Sequence, residues 1–212
     1  MKIVAAFACA ILLGSLVYFG FGGAGATLNA QAPSAHLSAD SAACMRLMSL
    51  TLPNAAVTSA QVVPAGQFKP PAGAATEFSD LPAFCRVALT LTPSHDSDIK
   101  SEAWLPMSNW NGKFQEVGNG GWNGDIQYGA LAEALRRGYA AASTDTGHAG
   151  GSASFALGHP EKLIDFGYRA VHETALQSKT AIAALYGSAP SLSYFTGCSG
   201  GGRQAFMEAQ RF

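Results

Sequence analysis

The stretch YFTGCSGGGRQAFMEAQRF, residues 194–212, decides how the rest of the chain is read. Within it, Gly197 to Gly201 fit G-x-S-x-G, the pattern of a serine on a sharp strand-to-helix turn. The run LSYFTG (192–197) reads as the strand entering that turn, and GRQAFMEAQRF (202–212) as the helix leaving it. A serine there sits in a strained backbone, so its neighbours at −2 and +2 must be small, and Gly197 and Gly201 are. The following helix aims its unpaired N–H groups at the turn, so Gly200 N–H can donate to an oxyanion formed when Ser199 attacks an ester carbonyl. The same run fails as a phosphate loop, because Arg203 and Gln204 stand where Lys and Ser/Thr are required. A serine is a weak nucleophile without a base and an acid to orient that base, so those partners have to be sought elsewhere.

Upstream, strand and helix patterns alternate. DFGYRAVHETALQSKTAIAALYG (165–187) has apolar residues recurring at three and four and is stopped by Gly187, so it reads as a long helix. YAAASTD (139–145) reads as a buried strand and YGALAEALRRG (128–138) as a short helix. KFQEVGN (113–119) and SEAWLPM (101–107) read as strands joined by the turn-rich SNWNG. This alternation predicts a parallel, doubly wound α/β sheet. The glycine-rich VGNGGWNG (117–124) follows a strand and precedes a helix, where an α/β-hydrolase takes its second oxyanion donor; Gly121, or Gly120, is the candidate. It fails as a dinucleotide loop because Asn123 occupies the third glycine position, and a plain tight turn stays open as its role.

In STDTGHAGG (143–151), Asp145 and His148 offer an acid and a base. Both precede the serine, whereas this fold orders its triad serine, acid, histidine, so they read as residues that fix a loop. His159 and His172 read as structural, and His36 and His95 lie in polar segments with no catalytic signal.

The N-terminal residues 1–32 read as an export signal. Lys2 precedes an apolar stretch, and AQA (30–32), or earlier AGA (24–26), supplies a small-residue cleavage site; an uncleaved membrane anchor is the competing reading. Export implies an oxidising compartment. Removal of the signal takes Cys9 and leaves Cys44, Cys85 and Cys198. Cys44 and Cys85 flank a segment that a disulfide could close, and Cys198 then has no partner in the chain. Residues 33–93, rich in Pro and Ala, read as an accessory N-terminal region, and 94–212 as the α/β domain. A net charge of −1 and pI of about 6.5 recommend neither nucleic acid nor an anionic membrane as partner.

Three segments together resemble one family: WNGKFQEVGNGGWNG (110–124), GYAAASTDTGH (138–148) and YFTGCSGGGRQA (194–205) resemble the tannase and feruloyl esterase family of secreted α/β-hydrolases, from Cys44 onward. The resemblance implies Ser199 as nucleophile, with Gly200 and Gly121 as oxyanion donors. It implies a disulfide from Cys198 to a cysteine beside the catalytic histidine, beyond the C-terminus. It also implies an acid and a histidine after the nucleophile, a lid domain holding calcium, and no cofactor or metal in the present residues. The substrate class implied is small esters of aromatic acids, of hydroxycinnamoyl or galloyl type, with terephthalate half-esters also handled within the family. The chain is thus expected to be the N-terminal part of a secreted or periplasmic enzyme, its hydrolase domain incomplete after the nucleophile turn and inactive alone. No stable membrane partner is expected after signal cleavage. Two other classes compete: an exported, non-catalytic α/β binding domain with a degenerate turn, and a membrane-tethered interaction protein.

Overall fold

Alternation of period two sorts the strand residues into two cores. In the computed structural model, which describes residues 39–70 and 78–212, strand β2 (Phe84–Leu91) turns Cys85, Val87, Leu89 and Leu91 to one face and Phe84 to the other. Strand β3 (Ile99–Pro106) does the same, with Ala103 and Leu105 opposite Trp104. Strand β1 (Ala55–Val63) keeps Val57 and Ala60 on one core although they are three apart, because its register against β2 shifts between Val57 and Ser59. Such a bulge inserts one residue and restores the inward face. The expected signal, residues 1–32, lies outside the described residues.

Three further strands, β4 (Lys113–Val117), β5 (Ala140–Thr144) and β6 (Leu192–Thr196), complete a six-stranded sheet ordered β1-β2-β3-β5-β4-β6. It is mixed, which corrects the expectation of a parallel sheet. β5, β4 and β6 run parallel, while β1, β2, β3 and β5 pair antiparallel. The cause lies in the connections. A parallel return needs a crossover, usually a helix, and helices α2 (Tyr128–Arg136) and α4 (Ala170–Tyr186) supply crossovers only from β4 onward. No helix separates β2 from β3, so they pair antiparallel. The stretch 33–93, read as accessory, contributes β1 and β2 to this same sheet.

The sheet is covered on both faces. Leu131, Ala132, Ala134 and Leu135 of α2 pack with Trp104 and Ala141, while Ala175, Ile182 and Leu185 of α4 pack with Ala140 and Ala142. The small alanines of β5 let both helices approach closely. Helix α4 is entered through α3 (Pro160–Ile164) and a π-helical turn, Asp165–Arg169, so helical backbone starts earlier than the sequence pattern predicts. The buried Asp165 carboxylate accepts from Arg169 Nε at 2.6 Å. Gly187, at φ 74°, ends α4 in the left-handed region.

Cys44 on α1 (Ser41–Arg46) and Cys85 on β2 are joined by a disulfide, with Cα atoms 5.7 Å apart, 41 positions apart in sequence, and both residues buried. The bond closes a loop containing β1. In the chain-entropy view a loop of this length stabilises by about 3–4 kcal/mol. Replacing both cysteines by alanine is expected to lower the unfolding free energy by an amount of that order. Denaturant titration, with wild type under non-reducing conditions as reference, measures it; an unchanged midpoint would contradict the assignment.

Candidate active site

Strand β6 and helix α5 (Gly200–Arg211) meet at Ser199, which adopts φ 53°, ψ −117°. A serine in that region is strained, and such strain persists only where surrounding contacts impose it. Here the turn is tied by Gly201 N–H donating to Cys198 O at 2.9 Å and Arg203 N–H to Ser199 O at 3.0 Å. Gly197 has to be glycine, because a Cβ there would lie 2.7 Å from the backbone of Gly201. Ser199 and Cys198 are exposed, and Cys198 carries a free thiol.

The loop after β4 packs directly on this turn. A Cβ on Gly118 would sit 2.8 Å from Gly201 Cα, and one on Gly200 would sit 3.0 Å from the amide nitrogen of Gly121. The structure therefore brings Gly121 beside Gly200, and Gly120 is not among the nearest neighbours there. Among the described residues, neither the Gly200 nor the Gly121 N–H has a backbone hydrogen-bond acceptor, so two uncommitted donors lie close together beside the turn that bears Ser199. Gly121 itself holds φ +55°, in the left-handed region.

Two residues that sequence reasoning did not assign hold this arrangement. The buried Gln204 of α5 accepts from Asn119 N–H at 2.9 Å through Oε1. Asn119 donates its side-chain amide to Asp125 O at 2.8 Å and to Thr144 O at 2.9 Å, tying the loop to the end of β5. Arg203 reaches the other way, donating to Gly167 O at 2.6 Å and Phe166 O at 3.1 Å. Burial holds its pKa below the usual guanidinium value. Arg203 and Gln204 directly extend the glycine run, but their partners lie 36 and 85 positions away in sequence, so their roles left no local signal.

His148, His159 and His172 each engage partners other than Ser199. His148 Nε2 lies 2.7 Å from Trp122 O and its Nδ1 3.2 Å from Thr146 Oγ1. A carbonyl only accepts, so Nε2 carries the proton. His159 pairs with Asp96 and His172 with Glu208. Asp145 Oδ1 accepts from Lys100 N–H at 2.9 Å and Gly147 N–H at 2.8 Å, fixing the loop after β5. Among the described residues no three His, Cys, Asp or Glu side chains gather as a metal site. A cavity of about 320 Å³ lies at β6, lined by Phe114, Glu116, Lys179, Tyr194 and Glu208 among others, but not by Ser199.

A mixed sheet wound on both faces, with a strained serine between a parallel strand and the helix that follows, defines an α/β-hydrolase. The structure of feruloyl esterase B from Aspergillus oryzae superposes with a TM-score of 0.75 at 37% identity, over 81% of this chain and 34% of that one. The tannin acyl hydrolase of Aspergillus niger shares the fold, with a TM-score of 0.61 at 23% identity over 82% of this chain and 34% of that one. An uncharacterized esterase of Xanthomonas campestris pv. campestris is 48% identical over 174 residues, 81% of this chain and 30% of its own length. The profile described as tannase and feruloyl esterase matches residues 85–212, and the chain belongs to that family. It spans about a third of the length of these relatives.

Burial raises the Asp145 pKa from 3.8 to about 6, against the pull of its two N–H donors. The folded state therefore retains a proton that the unfolded state releases between pH 3.8 and 6. Stability from this group is greatest at the acid end of that window and falls as pH rises through it. Asp145→Asn can keep both backbone contacts on Oδ1 and should remove this part of the decline. Unfolding free energies measured across that window would show it; an unchanged slope would contradict the assignment.

Proposed function

We propose that this chain carries the nucleophile half of a serine carboxylic ester hydrolase acting on esters of aromatic acids, of feruloyl, cinnamoyl or galloyl type. The observation that carries the reading is the strained Ser199 at a strand-to-helix turn against which the Gly121 amide packs at Gly200. Ser199 Oγ attacks the ester carbonyl while a histidine outside residues 1–212 takes its proton, oriented by an acid also outside them. The carbonyl oxygen becomes an oxyanion and is held by Gly200 and Gly121 N–H. The tetrahedral adduct collapses to an acyl-enzyme with loss of the alcohol, which the histidine protonates. Water, activated by the same histidine, then releases the aromatic acid and restores Ser199.

Family membership supports ester hydrolysis, and its likeness to feruloyl esterases supports aromatic acid esters as the substrates. Cys198, exposed beside the serine, is proposed to bond a cysteine next to that histidine and hold the two segments in register. Calcium is proposed only for a lid outside these residues and takes no part in the steps above. Export to the periplasm or medium is supported by the Cys44–Cys85 disulfide and the N-terminal apolar stretch.

Residues 1–212 alone are expected to show no esterase activity and at most trace labelling by a fluorophosphonate. In the product of the complete gene, label should fall on Ser199 and vanish in Ser199→Ala, with hydrolysis reduced by several orders of magnitude. Cys198→Ala should lower turnover while leaving Ser199 available to the label. Near-normal hydrolysis of an aromatic ester by Ser199→Ala would overturn the proposal.

A further inference from the structure

The glycine loop carries one aromatic side chain that oxyanion binding does not use. Trp122, directly after Gly121, is 44% exposed, whereas Trp104 and Trp110 are 0% and 1% exposed. An open indole is ordinarily free to change rotamer, but this one is held. It stacks on Phe166 at 4.7 Å with ring planes 21° apart, and its carbonyl is fixed by His148 Nε2 at 2.7 Å. Phe155 stands 6.3 Å away and itself stacks on His148 at 3.8 Å. Phe166 is braced from the nucleophile helix, since the Arg203 guanidinium lies 4.7 Å over its ring and donates to its carbonyl. The result is a rigid aromatic wall connected at both ends to the catalytic backbone, through Gly121 and through Arg203.

We propose that Trp122 is the specificity residue for the aromatic acyl group, its open face stacking on the aryl ring of the ester bound at Ser199; this rests on the ester-hydrolase reading above. Adjacent Cα atoms are about 3.8 Å apart. A carbonyl oxygen held by Gly121 N–H therefore starts its acyl chain beside the residue bearing the indole. On the proposed reading, an aryl ring joined to that carbonyl directly or through a vinyl spacer extends to the indole, which an acetyl group is too short to do. Offset stacking favours an aromatic ring over a saturated one of equal size. Because Phe166 and His148 already fix the wall, little side-chain freedom is lost on binding.

Two measurements test this. Trp122 is the only solvent-open member of the three tryptophans, so it dominates any quenching of this chain by an added solute. Benzoate should quench saturably, with a midpoint of roughly millimolar order for so small a ligand, and cyclohexanecarboxylate should not. Quenching that stays linear in benzoate, or equal effects of the two acids, would overturn the proposal. In the complete gene product, Trp122→Ala should lower the ratio of kcat/KM for an aryl ester to that for an acetyl ester about tenfold, through the aryl KM. Trp122→Phe should restore most of the ratio. An unchanged ratio would show that Trp122 only holds its loop. Were Ser199→Ala to leave hydrolysis intact, the ester-hydrolase reading would fail, while saturable benzoate quenching would still report stacking at Trp122.

Discussion

Contact between two glycine-rich backbones governs the site. Gly118 lies where a side chain would collide with Gly201, and Gly200 lies against Gly121, so the loop after β4 and the turn after β6 meet main chain to main chain. Main-chain contact of this kind gives little apolar burial, so polar groups must hold it. The Gln204–Asn119 hydrogen bond does so from inside, where both residues are almost fully buried and solvent cannot compete. Parallel pairing of β4 with β6 sets the loop and the turn at the same end of the sheet. The strain at Ser199 can be sustained because the elements on either side of it are anchored independently.

Much of this was legible in the sequence, and for physical reasons. The strand-to-helix turn at Ser199 was visible because its geometry excludes side chains, and that exclusion writes glycines at fixed spacing. The loop-fixing roles of Asp145 and His148 followed from chain order, and their hydrogen bonds to Lys100, Gly147 and Trp122 suit such roles. Strand direction was only partly legible: β3, buried along most of its length, reads alike in either neighbourhood, whereas β2 alternates buried and half-buried residues as an antiparallel strand does. The Asn119–Gln204 clamp was hidden, since a hydrogen bond spanning 85 positions leaves no local pattern. The same holds for the support that Arg203 gives Phe166.

Charge placement sets the β6 side of the molecule apart from the serine. Glu116 on β4 is buried, and burial together with the nearby Glu208 pushes its pKa well above the usual carboxylate range. Glu116 Oε1 and Glu208 Oε2 are both buried without a hydrogen-bond partner among the described residues. Lys179 opposes the shift, and His172 engages the other Glu208 oxygen. Glu116, Lys179 and Glu208 line the cavity at the edge strand β6, whose own residues are partly buried or exposed. The hydrogen bonds that fix the Ser199 turn run instead through Gln204 and Arg203, neither of which lines this cavity.

Under the proposed reading, catalytic labour divides along the chain according to what each part can make rigid. Oxyanion binding needs donors fixed before the reaction begins, and backbone N–H groups in a glycine-packed turn are about as immobile as protein donors become. Substrate recognition by Trp122 draws on that same rigidity, because the indole is carried by the residue that follows one donor and is buttressed by the helix that starts with the other. Proton transfer asks for a different property. The histidine must face Ser199 Oγ and then the leaving alcohol, so it has to approach from the open side of the turn, where Ser199 and Cys198 are exposed. A disulfide at Cys198 would supply from that side the fixed distance that backbone packing supplies from the other.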